Sequence, residues 1–241
     1  KNNIDGVYRV WAMGDYDVEK ALIKPLRYIK CDDEIDLLLK FLDYWSMPSS
    51  YPDVITGWNV KFFDIPYLVN RVNRVLGLES VKKFSPWGMV DHRKVNKRGQ
   101  EATTYNLAGI QTLDYLDLFQ KFGYTYGAQE SYKLDHIAKV VLGEKKLSYE
   151  ESGSLKNLYK DDFQKYIDYN MKDVELVDRL EDKMGLITLA MTVAYKGGVN
   201  YTDTFGTTAI WESIIYRKLN WQRTAPLVHG DEMLKERFEG G

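Results

Sequence analysis

Apolar positions along the chain follow two rhythms, strand-like and helix-like, with strands concentrated in the first half and helices in the second. VYRVWAM (Val7 to Met13) is rich in β-branched and aromatic residues and predicts a strand. After Asp32 or Asp33, EIDLLLKFLDYW places Ile35, Leu38, Leu39, Leu42 and Trp45 on one helical face. DVIT (Asp53 to Thr56) is a short apolar strand running into Gly57. IPYLVNRVNRVLG then carries Pro66 in its first turn and Gly77 past its end, the usual asymmetry of a helix. From Met89 to Tyr105 two strand-like runs flank a polar turn near Lys97 to Gln100, which predicts a β-hairpin.

The second half is helical. LDYLDLFQKF reads as a passage from strand to helix, and YKLDHIAKVVLG as a helix closed by Gly143. The longest periodic stretch runs from about Asp161 to Ala194, and TTAIWESIIYRKL predicts a last helix. No internal repeat or low-complexity tract interrupts these elements. The fold class expected is α/β with a mixed sheet, followed by a helical extension.

Composition narrows the function only a little. The 241 residues carry a net charge of −2, which argues against a polybasic nucleic-acid arm but not against a local basic groove. One cysteine, Cys31, excludes an internal disulfide and fits a reducing cytosol. No apolar run approaches the length of a membrane span, so no membrane partner is expected. His92, His136 and His229 have no zinc-ligand spacing among them. Neither a Gly-rich phosphate loop nor a nucleophile elbow is present.

Two aspartates stand out by their setting. On the long helix, Tyr166, Tyr169, Asn170, Asp173, Val177, Leu180 and Met184 recur at spacings of three and four and share a face. Asp173 lies inside that stripe, whereas Asp168, Glu175, Asp178 and Asp182 can be solvated elsewhere. A buried carboxylate needs a cation, a donor or a metal, so Asp173 reads either as a ligand or as a residue bonded across a helix junction. Asp64, in GWNVKFFDIPYLVNRV, precedes Pro66 by two residues and reads either as a helix N-cap or as a ligand at the sheet's C-terminal edge.

Taken together, Asn59-x-x-x-Phe63-Asp64 and Tyr169-x-x-x-Asp173 resemble the second and third exonuclease motifs of family B DNA polymerases. ITGWNVKFFDIPYLVNRV, KKFSPWGMVDHRKV, TLDYLDLFQKF and YIDYNMKDVE are similar to the T-even-type bacteriophage replicative polymerases, in order along nearly the whole chain. The resemblance implies an RNase H-like proofreading domain that removes mismatched 3′ nucleotides with two divalent ions, Mg²⁺ or Mn²⁺, held by four carboxylates. It implies that Asp64 and Asp173 hold metal, that Tyr169 orients the attacking water, and that Asn59 and Phe63 shape the pocket around a frayed strand. Phe62 reads equally as core or contact.

The resemblance also makes the Met89–Tyr105 hairpin the element that helps part primer from template. Its Arg93, Lys94, Lys97 and Arg98 suit phosphate contact, or else merely solvate the hairpin. The partners implied are the single-stranded 3′ end of primer DNA, the palm, fingers and thumb of the same polymerase, a sliding clamp and a single-strand-binding protein. The location implied is the cytoplasm of an infected bacterial host.

The chain departs from the family pattern at the first exonuclease motif, an Asp-x-Glu on the first strand. Asp5 is followed by glycine and valine, and Asp15-Tyr-Asp17 falls in a turn after the first strand with a second aspartate. The motif is therefore expected upstream of Lys1, leaving a half-site that binds paired magnesium poorly. The expected division is an exonuclease domain over residues 1–190 and a helical extension over 191–241 leading toward a palm domain. YTDTFG (Tyr201 to Gly206) imitates a polymerase signature without its second aspartate, so Asp203 reads as a loop or cap residue. Asp114 and Asp117 read either as residues facing the site or, in preference, as strand-end and helix-cap residues. Two leading functions follow: a proofreading exonuclease region, inactive in isolation, or a non-catalytic nucleic-acid-binding scaffold or piece of a split polymerase; a self-standing exonuclease is disfavoured by the hairpin and the helical tail. An Asp-x-Glu preceding Lys1 separates them.

Overall fold

The computed structural model describes residues 1–97, 99–144 and 153–225, without the side chains of Lys97 and Gln100. In chain order the elements are β1 (Tyr8–Ala12), β2 (Leu26–Lys30), α1 (Glu34–Trp45), β3 (Val54–Ile55), α2 (Asp64–Leu76) and α3 (Leu78–Val81). They continue with β4 (Val90–Lys97), β5 (Gln100–Leu107), β6 (Gln111–Thr112), α4 (Tyr115–Phe122) and α5 (Leu134–Leu142). The rest are α6 (Leu155–Asp161), α7 (Phe163–Met184), α8 (Leu186–Gly197) and α9 (Thr207–Trp221). Two compact units result, Lys1–Leu189 and Ala190–Gly241.

Mixed α/β character is present, but not as one mixed sheet. Among the described residues the strands pair two by two: β1 with β2 and β3 with β6 in parallel, β4 with β5 antiparallel. The β3–β6 ladder is only two residues long on each side, with backbone bonds between the two segments continuing to Gly57 and Tyr115. The hairpin ladder is longer, running from Val90↔Leu107 to Lys97↔Gln100.

One core joins α1, α2 and the base of the hairpin through Leu38, Leu42, Val69, Val72, Phe84, Leu107 and Ile110. The face α1 presents to it differs from the expected one. Leu38 and Leu42 are buried and Trp45 packs inward as expected, but Ile35 and Leu39 are exposed, and Leu37 and Phe41 pack inward instead. Aromatic contacts set that rotation. Phe41 meets Trp11 edge-on at 5.3 Å between centroids, and Trp45 meets Phe84 at 5.5 Å. A second core sets Tyr8, Ala12 and Ile23 against Ile167 and Met171 of α7.

The long periodic stretch after Asp161 is broken. α7 ends at Gly185, whose φ of 62° is left-handed, and α8 begins at the next residue. A glycine adopts that conformation without a Cβ penalty and closes a helix there. Glu181 stitches the break, accepting from the Ile187 N–H at 3.0 Å and the Thr188 N–H at 3.3 Å.

In the second unit, Asn200 caps a short 3-10 turn (Tyr201–Phe205), and the Asp203 carboxylate accepts the Asn200 N–H at 3.0 Å. Asp203 is thus a capping residue. α9 follows, with Trp211, Ile215, Tyr216 and Trp221 exposed. Among the described residues no helix is long and apolar enough to cross a membrane.

Candidate functional site

Asp64 lies in the first turn of α2, but it does not cap it. The N-cap position belongs to Phe63, whose side chain makes no capping bond. The approach to that helix is a tightly hydrogen-bonded turn. Asn59 has a φ of 65°, a left-handed conformation that asparagine tolerates better than most residues. Its carbonyl accepts both the Phe62 N–H at 3.2 Å and the Phe63 N–H at 3.0 Å, and the Val60 carbonyl accepts the Ile65 N–H at 3.0 Å. The turn delivers Phe63 and Asp64 side by side.

Their surroundings differ from those of ordinary surface residues. Phe63 is 67% exposed. Tyr67, one turn later, is also exposed, giving an i,i+4 aromatic pair that the sequence reading missed although its spacing was visible. Asp64 reaches the surface, yet the protein around it desolvates the carboxyl and pushes its pKa above the ordinary carboxylate value. The start of a helix favours a negative charge. Here burial outweighs that help.

Tyr169 and Asp173 sit one turn apart on α7 and share a face, with Tyr169 buried and Asp173 half-buried. The Oδ1 atom of Asp173 is enclosed by protein. Asn170, expected on the same inward stripe, is exposed, its amide donating to the Tyr166 carbonyl at 2.7 Å. Asp168, expected to be solvated, is only 5% exposed. It accepts the Tyr16 hydroxyl at 2.7 Å and the Leu22 N–H at 3.4 Å, fastening the segment after β1 to α7. The phenol is pushed up from its usual pKa, first by burial and then by the bond to Asp168. Periodicity alone could not find this pairing, because its partner lies far away in sequence.

Asp114 caps α4, as expected, accepting the Leu116 N–H at 3.0 Å. It also does more. Its Oδ1 accepts the Asn59 N–H at 2.9 Å and its Oδ2 the Lys61 N–H at 3.0 Å, so it grips the turn leading to Asp64. The next residue, Tyr115, donates its hydroxyl to Glu181 of α7 at 3.2 Å. The β6–α4 junction therefore touches both segments that carry the candidate carboxylates. Asp117 stands within 3.9 Å of the Lys61 ammonium.

The hairpin is fastened to the helix that Asp64 begins. Tyr105 of β5 donates its hydroxyl to Asn70 of α2 at 2.7 Å. Arg93 and Lys94 are exposed on β4, and Lys94 pairs with Glu101 across the ladder at 3.3 Å. That pairing offsets part of the positive charge expected there. Arg98 and the side chain of Lys97 lie outside the described residues, as does His229. His92 is in the hairpin, while His136 on α5 contacts Gln129 at 3.2 Å.

Asp-x-Glu spacing occurs at Asp17 and Glu19, at Asp32 and Glu34, and at Asp173 and Glu175. None of these lies on a strand: the first enters a 3-10 turn, the second opens α1, and the third is inside α7. Among the described residues no group of three or more His, Cys, Asp or Glu side chains converges as a metal cage. In donor type, Asp64 and Asp173 suit a hard divalent cation. In number, two carboxylates fall short of a two-ion set.

Comparison with known proteins gives this arrangement its context. The family model "DNA polymerase family B, exonuclease domain" matches residues 12–137. The chain is similar to the DNA-directed DNA polymerase of Enterobacteria phage T4, at 30% identity over 94% of this chain and 24% of that protein. It is similar to the corresponding enzyme of Escherichia phage RB69, at 31% identity over 91% of this chain and 24% of that protein. DNA polymerase 1 of Saccharolobus solfataricus is 28% identical over 90% of the chain and 24% of its own length. The chain thus spans about a quarter of the length of these relatives.

Proposed function

Because this chain belongs to the exonuclease-domain family of the family B DNA polymerases, we propose that it is the proofreading 3′–5′ exonuclease region of a replicative polymerase. The carrying observation is Asp64, whose carboxyl is desolvated at the start of α2; the second candidate, Asp173, is half-buried one turn after Tyr169 on α7. Desolvating a carboxylate is costly, and a cation at Asp64 relieves that cost. In this reading residues 1–190 form an RNase H-like exonuclease domain, and residues 191–241 lead toward the polymerising part of the parent.

Asp64 would hold one divalent ion, Mg²⁺ or Mn²⁺, from the start of α2, and Asp173 would help hold the other. The chemistry such a pair supplies, when bound, is activation of water and neutralisation of charge on the departing 3′ oxygen. The Tyr169 phenol, on the face it shares with Asp173, orients the attacking water. Phe63 offers an open ring on which a terminal base stacks, and Asn59 fixes the turn that presents it. The hairpin, tied to α2 through Tyr105, holds the primer strand away from its template, and the positive charges of Arg93, Lys94, Lys97 and Arg98 suit phosphate contact. Beyond the frayed primer, the partners proposed are the palm, fingers and thumb, a sliding clamp and a single-strand-binding protein, in the cytoplasm of an infected host.

With two carboxylates rather than four, the isolated chain is inactive. The test compares this chain with the intact parent on a 5′-labelled single-stranded oligonucleotide in Mg²⁺ or Mn²⁺. The parent shortens the strand stepwise from its 3′ end, and the isolated chain leaves it intact. Shortening by the isolated chain that disappears with Asp64→Ala would overturn the half-site reading.

A further inference from the structure

Resting on the exonuclease reading, we propose that Asp114 is a positioning residue for this site: its carboxylate fixes the backbone of Asn59 and Lys61 and thereby sets where Asp64 stands. Asp114 is 1% exposed and accepts three backbone N–H groups from two separate segments. An N-cap needs an acceptor only for its own helix, and here the Leu116 N–H fills that role. The bonds to Asn59 and Lys61 have no part in capping α4.

What they hold is a turn of unfavourable conformation. Asn59 is left-handed, and its carbonyl in turn anchors the Phe62 and Phe63 N–H groups just before Asp64. Hydrogen bonds therefore run without a gap from Asp114 through Asn59 to the first turn of α2. Asp114 cannot drift, because the Leu113 N–H is bonded to the Ile55 carbonyl and the Tyr115 N–H to the Gly57 carbonyl, each at 2.9 Å. The Tyr115 hydroxyl ties the same junction to α7, the helix of Asp173. A small displacement at this junction changes the spacing between the two carboxylates.

Substitution by asparagine separates the two roles. Asparagine caps a helix about as well as aspartate. It has one acceptor oxygen instead of two, however, so an amide NH₂ must face either the Lys61 N–H or the Asn59 and Leu116 N–H groups. The experiment uses the intact parent polymerase carrying Asp114→Asn. Asp33→Ala, which removes the N-cap of α1, is the control for a lost cap elsewhere, and Asp64→Ala tests the underlying reading.

The readouts are exonuclease kcat and KM on a single-stranded oligonucleotide, and hydrogen–deuterium exchange of the Asn59–Asp64 amides. Asp114→Asn is expected to lower kcat roughly 10- to 100-fold, as for other groups that orient metal ligands, with KM within about twofold of the parent's. The Asn59–Asp64 amides exchange faster in that variant and unchanged in Asp33→Ala. Asp114→Asn keeping kcat within about twofold, or losing it without faster exchange, overturns the proposal when Asp64→Ala is inactive. Full activity in Asp64→Ala instead overturns the exonuclease reading, and the proposal falls with it.

Discussion

Asp114 and Asp64 stand at the beginnings of two helices in the same unit, and the protein treats them in opposite ways. Asp114 is enclosed and surrounded by donors: three backbone N–H groups converge on its two oxygens. Asp64 emerges at the surface, and among the described residues no N–H but its own reaches its carboxyl. Both pKa values are pushed up, and burial is the first cause in each. For Asp114 the bonds from Lys61, Asn59 and Leu116 oppose that push. For Asp64 almost nothing does. The fold supplies donors to Asp114 and almost none to Asp64, which is the difference the proposed metal role of Asp64 rests on.

The comparison breaks most severely at Asp114. Asp114→Ala leaves three N–H groups without their acceptor and removes a cap, at a cost of about 3 kcal/mol. The melting temperature should fall by about 6 to 12 °C, measured by circular dichroism on the isolated chain. An unchanged midpoint would mean that water takes over those bonds.

Phe63→Ala tests the other side. Its exposed ring contributes little to the fold, so stability should hold, while affinity of the intact parent for a single-stranded 3′ end falls about tenfold, as for loss of one stacked base. Fluorescence anisotropy with a labelled oligonucleotide measures it. A variant that binds as well as the parent would remove Phe63 from the pocket.

Tyr115→Phe sharpens the contrast further. It deletes only the hydroxyl donated to Glu181 and should cost about 1 kcal/mol in denaturant unfolding. The result would be near zero if Glu181 is held sufficiently by Ile187 and Thr188.

The smallest effect carries the opposite sign. A carboxyl with a raised folded-state pKa binds protons more tightly in the folded chain, so its contribution to stability falls as pH rises from the ordinary carboxylate range toward the raised value. Asp64→Asn should therefore stabilise the metal-free chain slightly at neutral pH. That gain should vanish in acid, where both states are protonated. Melting curves of the variant and the unmodified chain, recorded across that pH range, decide it. A variant less stable at neutral pH would show that Asp64 serves the fold after all.

Much of the element order was legible because it rests on local signals. Pro66 and Gly77 mark the ends of α2, Gly143 closes α5, and the polar turn near Gly99 joins two β runs. What escaped were relations across the chain. The inward face of α1 is decided by Trp11 and Phe84, residues outside that helix. The burial of Asp168 is decided by Tyr16, and the second role of Asp114 by Asn59 and Lys61. Gly185 looked like one glycine inside a long periodic stretch, and only its left-handed backbone marks it as a break. The β4–β5 hairpin was legible, but β2 was not, nor were the parallel pairings of β1 with β2 and of β3 with β6, which join segments far apart in sequence.

The most direct test of the account is 3′-nucleotide release by the intact parent polymerase carrying Asp64→Ala or Asp173→Ala, measured in a single turnover on a mispaired primer. Each substitution should slow release by roughly 10³-fold or more, the rate equivalent of several kcal/mol of transition-state stabilisation, and leave nucleotide incorporation unchanged. Release within about tenfold of the unmodified enzyme in either variant would contradict the account and leave that aspartate a structural residue.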